Sequence, residues 1–398
     1  MDANESMIHT ASSESKKYNI AVVTHPFHDE VGRATLANLV EVIEPLADEM
    51  FLITGDFPDW PGKKIHIIRL KADLNRGMLL TRMLQLVLTD ALTSLHLVRI
   101  SRRIDTVIFY IGTDEHLSST LTARLLRKKT VACVPGLFSK MARKEYNRGI
   151  ELTARVIERI RFTVSDQIAV ESPSVARFLG FERYERKLSA TGARYVPTDL
   201  FRIERDLASR DNVVGYVGRL VEGKGIAEFI KAMPMILKRR ADTRFLVGGG
   251  GPLHDQVVNS LRANGLSNEV KLIGWIPHEE VAHCLNDLKL FVLASDGEGL
   301  PGIVQEAMAC GTVVLATPVG GVPDLIKDGE TGFILQNSSA ECIAETVIEA
   351  LNHPRLSEIA RNGRQLIEQE YAYGAMVEKY RRALDTLHLG WPDATGNG

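Results

Sequence analysis

Two carboxylates and two cations in the second half of the chain have the types and spacing to hold a phosphorylated sugar. Glu298 and Glu306 stand eight residues apart in Ser295-Asp-Gly-Glu-Gly-Leu-Pro-Gly-Ile-Val-Gln-Glu-Ala-Met-Ala309. The first lies in a Gly-flanked segment after an apolar run ending at Leu293, the second inside the helix predicted to follow. Helical side chains lean toward the helix N-terminus, so both carboxylates converge on one helix end. Each accepts hydrogen bonds through two oxygens and can clamp a vicinal diol, either of a ribose or of a hexose. The alternative makes Glu298 a dipole-favoured surface acid and Glu306 the partner of a core Lys or Arg. It is weakened by the apolar setting of Glu306 beside Ala307, Met308 and Ala309, where an unpaired acid is costly. The cations Arg219 and Lys224 belong to Gly215-Tyr-Val-Gly-Arg-Leu-Val-Glu-Gly-Lys-Gly225, where glycines such as Gly218 open the backbone between a strand and a helix. Positive charge beside a helix N-terminus suits a diphosphate. The competing reading is a tight turn with two solvated basic residues.

These groups must be carried by elements, and the pattern of elements repeats along the chain. Strands are predicted at Asn19–Thr24, Met50–Thr54, Lys64–Arg69, Asp105–Tyr110, Thr130–Val134 and Gln167–Val170. A second series follows at Val213–Val217, Arg244–Val247, Val270–Ile273, Leu288–Leu293, Val313–Ala316 and Gly332–Leu335. Helical patterns lie between most of them, for example Arg33–Ala47, His116–Arg127, Ile226–Leu237, Leu253–Ala263 and Pro301–Ala309. Such alternation implies parallel sheets covered by helices, here twice over. The expected fold is α/β, with two doubly wound Rossmann-like domains facing each other across a cleft. Their boundary falls in the polar segment 197–212, which has no clean period. Ligands of open α/β sheets sit outside the carboxyl ends of the strands, where both motifs lie.

The composition narrows the function. With 398 residues, two domains are expected. The net charge of -2 supplies no global basic field, which argues against a nucleic-acid partner. Cys133, Cys284, Cys310 and Cys342 are widely spaced and read as reduced, mostly buried thiols, with neither disulfide nor metal framework. Residues 1–17 are polar and Ser-rich, and are expected to form a disordered tail, as is the segment after Gly390. The most apolar stretch, 77–100, carries Arg82, Asp90, His96 and Arg99 and is not expected to span a bilayer. A cytoplasmic protein, soluble or peripheral on the membrane inner face, is expected.

The run from Glu298 to Glu306 has the E-x7-E form of a large family of retaining glycosyltransferases of the GT-B fold, the family-four-like glycosyl transferases of group 1. EGLPGIVQEAMACGTVVLATPVGGVPDLIKDGETGFIL resembles that family closely, as do VGYVGRLVEGKG and the Gly-rich turn Val247–Leu253; together these cover residues 213–336. The resemblance implies that Arg219 and Lys224 hold the donor diphosphate and that Glu306 binds the ribose hydroxyls. It implies that Glu298 binds the transferred sugar, that the backbone of Leu300, Pro301, Gly302 and Ile303 approaches the sugar and phosphates, and that Gly274 opens the base-binding segment. By the same resemblance the domains are residues 18–198, on the acceptor side, and 199–372, binding the nucleotide diphosphate sugar. Residues 373–389 form a helix crossing back to the first domain. No cofactor or metal is implied, and no Asp-x-Asp triplet occurs in the chain.

The first half departs from the family. Of the usual Gly-Gly pair after the first strand only Gly32 remains, and Pro135-Gly136 stands where the family places a His. Thr191-Gly192 replaces the usual Asn-Gly. Asp114, His116, His25 and His28 are weaker candidates for the acceptor side. From 124 to 162 the chain holds eleven Lys or Arg against three acids, an excess of +8, with Leu137, Phe138 and Met141 interleaved. This is either a solvated helix face or a surface for anionic lipid presenting a lipid-linked acceptor. The rivals to a transferase are a non-catalytic sugar-nucleotide binding protein and an epimerase of the same fold. The two-glutamate pattern speaks against the second.

Overall fold

The computed structural model describes residues 16–26, 30–70, 79–110, 116–145, 148–192 and 194–389. The expected tails (apart from Lys16 and Lys17), His28 and Asp114 lie outside the described residues. Two parallel sheets with intervening helices make the α/β, doubly wound architecture. The first holds β1 (Tyr18–Val23), β2 (Ala47–Thr54), β3 (Ile65–Arg69), β4 (Thr106–Phe109), β5 (Lys129–Val134), β6 (Gln167–Val170) and β7 (Leu188–Ala190), in the order β3-β2-β1-β4-β5-β6-β7. The second holds β8 (Val213–Val217), β9 (Arg244–Gly248), β10 (Val270–Gly274), β11 (Leu290–Leu293), β12 (Val313–Ala316) and β13 (Phe333–Ile334), in the order β10-β9-β8-β11-β12-β13. In each, the strand order reverses beside the first strand of the series, which creates the crevice that doubly wound sheets use for ligands.

The strands follow from composition. β11 (LFVL) and β12 (VVLA) are apolar throughout and buried at every position, as expected for central parallel strands covered on both faces. Every predicted strand is present, with ends moved by at most three residues. β7 has no counterpart among the predicted strands. The helix expected at Arg33–Ala47 runs over Glu30–Ile43 and stops before Pro45, whose missing N–H and ring end an α-helix. Ala47 already belongs to β2.

The chain divides into two compact units inside β5, between Val131 and Ala132. The first is organised around Ala21, Val23, Phe51, Ile53, Leu97, Val107 and Phe109. In it, Asp90 accepts hydrogen bonds from the backbone and hydroxyl groups of Ser118 (2.6 and 2.7 Å) and Ser119 (3.1 and 2.5 Å), capping the helix Leu117–Leu125. His116 is buried, 3.8 Å from the Asp90 carboxylate and against Phe109, so it packs in this core and does not line a surface.

The second unit holds β6 and β7 together with the whole second sheet. Phe162, Phe181 and Tyr184 meet edge to face in one of its cores. Segment 197–212, which reads as a break, is fixed by two arginines. Buried Arg210 donates to the carbonyls of Leu288 (2.8 Å), Cys310 (2.6 Å) and Arg205 (3.1 Å) and to Thr312 Oγ1 (2.9 Å). Arg364 donates to the carbonyls of Phe201 (2.5 Å) and Ala309 (2.6 Å). The terminal helix Tyr373–Leu389 accepts, at Ala383 O, a bond of 3.1 Å from Gln167 Nε2 at the start of β6.

Candidate functional site

β8 and β11 are neighbours in the second sheet, so the loops leaving their carboxyl ends lie side by side. Lys224 from one and Glu298 from the other meet there, Lys224 Nζ donating to Glu298 Oε1 at 2.6 Å. The reading from sequence gave these two residues separate tasks; the structure makes them one ion pair, with side chains 22% and 9% exposed. Their approach depends on Gly225, which starts the helix Ile226–Arg239 at φ 74°, where a Cβ would stand 2.3 Å from Ala294 O. Gly218 lies at the end of β8 and donates its N–H to Gly248 O at 3.0 Å. Arg219 is exposed and its carbonyl accepts from the Tyr216 hydroxyl at 2.7 Å. Burial, followed by the charge of Glu298, holds the Tyr216 phenol well above its ordinary titration range.

Glu306 lies within the helix Gly302–Ala309 and is 6% exposed. A carboxylate so buried needs partners, and it has two: Arg194 Nη2 at 3.4 Å and His278 Nε2 at 3.3 Å, both on Oε1. Neither is a core cation; their side chains are 41% and 54% exposed. The hydrogen bond to Glu306 raises the His278 pKa above the usual value, against the opposing effect of burial. Gly274 closes β10, and His278 opens the helix His278–Asp287 four residues on.

The segment Leu300–Ile303 leads into the Glu306 helix. Gly302 and Ile303 are its first two positions, whose N–H groups no carbonyl of the same helix can reach. Pro301 has no N–H to offer, and the Leu300 N–H is already engaged by Glu171 Oε2 at 2.5 Å. The N–H groups of this segment that stand open are thus those of Gly302 and Ile303. Burial pushes the Glu171 carboxyl up to about 7; the Leu300 bond opposes this and the neighbouring Glu298 charge adds to it.

Glu171, Arg194 and His278 are absent from the sequence reading. Glu171 directly follows β6, so its position at a strand's carboxyl end was the available signal. Arg194 sits in a segment without periodicity, and nothing in the sequence pairs it with Glu306. Gly32 falls in the first turn of the helix Glu30–Ile43 in the first unit, not in the connection before it. No group of described residues could hold a metal ion.

Residues 198–366 match the family described as Glycosyl transferases group 1. Over 240 residues, 60% of this chain and 56% of the relative, the sequence is 28% identical to alpha-D-kanosaminyltransferase of Streptomyces kanamyceticus. It is 29% identical, over 48% of this chain and 52% of the relative, to the GDP-mannose-dependent monoacylated alpha-(1-6)-phosphatidylinositol monomannoside mannosyltransferase of Corynebacterium glutamicum. The chain spans about half the length of these curated relatives. The fold is similar to that of Anabaena HepE, solved in complex with UDP, at TM-score 0.71 and 15% identity over 92% of this chain and 99% of that one. The chain thus has the GT-B fold, and its residues 198–366 are similar to the glycosyl transferases group 1 family.

Proposed function

We propose that the protein is a retaining, metal-independent glycosyltransferase that moves a hexose from a nucleotide diphosphate sugar to a hydroxyl acceptor. The observation that carries this reading is the convergence, at the carboxyl ends of adjacent strands, of the Lys224–Glu298 pair with the N-terminus of the helix bearing Glu306. Cations and open helix N–H groups favour the diphosphate, while a carboxylate with an uncommitted oxygen favours a diol. As charge develops on the leaving diphosphate, Arg219 and Lys224 stabilise it, a role in which one donor typically contributes about 3 kcal/mol of barrier reduction. The test is release of nucleoside diphosphate from UDP-glucose and GDP-mannose, with and without chelator. Activity abolished by chelator refutes the metal-free site. Nucleotide binding without any turnover supports a binding protein instead.

The acceptor reading rests on the helix Arg148–Val164. Leu152, Val156 and Ile160 repeat every four residues along it and are 54%, 57% and 41% exposed. Arg148, Arg155 and Arg159 are exposed, whereas its acids Glu151 and Glu158 are turned inward. Glu158 accepts from Ser139 N (2.9 Å) and Oγ (2.7 Å). On this face Arg155 pairs with Glu151 at 2.6 Å, which leaves Arg148 and Arg159 beside the apolar residues and suits an anionic membrane surface and a lipid-linked acceptor on the cytoplasmic face. Leu137, part of the sequence-based argument, packs against the core instead, and Arg161 is fully buried. At about 1 kcal/mol for each arginine near the surface, Arg148 and Arg159 give weak, salt-reversible attachment. Sedimentation with anionic vesicles at low salt, lost at high salt and in a variant with Arg155→Glu and Arg159→Glu, is expected. Equal recovery in the supernatant under every condition favours a soluble acceptor.

A further inference from the structure

We infer that Glu171 is a substrate-binding residue of the sugar subsite, and that a hydroxyl of the transferred sugar inserts between its carboxylate and the Leu300 N–H. The inference rests on the donor reading above and adds a residue to it. Three observations support it.

The first is the construction of the contact. The backbone at Gly299–Leu300 is held on one side by a main-chain bond, Gly321 N to Gly299 O at 2.7 Å. On the other side it is held by the Glu171 side chain. A Cβ on Gly299 would stand 2.3 Å from Glu171 Oε2, so only glycine allows this approach. The chain around Glu171 is itself anchored: Ser172 Oγ accepts from Val175 N at 3.3 Å, and Ser174 donates to Asp324 from its N (2.8 Å) and its Oγ (2.9 Å). Of the two sides, only Glu171 can open by turning a side chain.

The second is the matching chemistry. An N–H donor and a carboxylate acceptor face each other, and the group that satisfies both at once is a hydroxyl, which accepts from one and donates to the other. A phosphate oxygen accepts only, and beside Glu171 and Glu298 it would meet two carboxylates. Those two acids therefore direct the diphosphate toward Arg219 and the sugar toward Leu300. The third is the state of the carboxyl. Its titration near neutrality reflects a charge that burial leaves poorly solvated, with one backbone bond to offset it. A donating sugar hydroxyl would add a second.

Calorimetry on the full chain tests this with UDP, GDP, UDP-glucose and GDP-mannose as probes, comparing the parent with Glu171→Ala and Glu171→Gln. Glu171→Ala is expected to bind the bare diphosphate within twofold of the parent and the sugar nucleotide about 10- to 100-fold more weakly. Glu171→Gln, which keeps an acceptor oxygen and the side-chain volume, should lose several-fold and covers the case in which the alanine variant does not fold. Unaltered or tighter binding of both sugar nucleotides would overturn the inference, leaving a structural contact. So would equal weakening of diphosphate and sugar nucleotide. If the parent binds neither UDP nor GDP, the donor reading itself falls, and this role with it.

Discussion

Removing Glu306 should weaken binding of a bare nucleoside diphosphate, and removing Glu298 should not. Arg194 and His278 both approach Glu306 through Oε1, at 3.4 and 3.3 Å. These are long for charge-assisted bonds, which run near 2.8 Å. Oε2 carries no hydrogen bond among the described residues, so the carboxylate is held in place without being saturated. A ribose diol would add two hydrogen bonds to a charged acceptor, each contributing about 1.5 to 3 kcal/mol. Losing them in Glu306→Ala, part of which is recovered as Arg194 turns to the ligand, gives a net cost of about 3 kcal/mol, or about 100-fold in Kd. Glu298 differs because its Oε1 is already taken by Lys224 at 2.6 Å. Glu298→Ala releases that ammonium, so the diphosphate should bind equally well or more tightly while sugar transfer falls. Isothermal calorimetry with UDP and GDP, beside release of diphosphate from the sugar nucleotides, reads both quantities. Equal losses of diphosphate affinity in the two variants would refute the division of labour.

Four further outcomes follow from the geometry. Because the bond to Glu306 is what raises the His278 pKa, Glu306→Gln should bring the imidazole down toward the ordinary histidine range, read by NMR titration of the ring protons. Glu171 titrates near 7 in the folded protein against 4.5 as its ordinary value, so between these the folded form keeps a proton that the unfolded chain has released. Stability from this group is therefore present at low pH and falls as pH rises through that window, by up to roughly 3 kcal/mol; Glu171→Gln should flatten this part of a plot of Tm against pH. Arg210→Ala should cost about 3 kcal/mol or more in denaturant unfolding, since it strands buried carbonyls of Leu288 and Cys310, and lysine should not restore it. Burial pushes the Cys133 and Cys310 thiols up to about 12 and raises Cys284, so a thiol reagent should modify Cys342 first in the native protein and all four cysteines only after unfolding.

The alternation of short β-branched runs with amphipathic segments is a local property, so the strands other than β7 and most of the helices between them could be read directly. So could the positions of Arg219, Lys224, Glu298 and Glu306 at or beyond strand ends, because connection and helix start are written in neighbouring residues such as Gly225 and Pro301. Pairing across the sheet is not written there. That Lys224 and Glu298, separated by 74 positions, share one hydrogen bond depends on β8 lying next to β11. The sequence orders these strands but does not say which are neighbours. The same holds for the partners of Glu306: its apolar helix is legible in the sequence, but the approach of Arg194 and His278 is not. Glu171 shows the limit most clearly. By itself it is one acid after one short strand; only packing of that strand's end against Gly299 strips its solvent and raises its pKa. Local chemistry is fixed by residue type and spacing, whereas desolvation and charge pairing are sums over everything the fold brings near, and those only the tertiary structure decides.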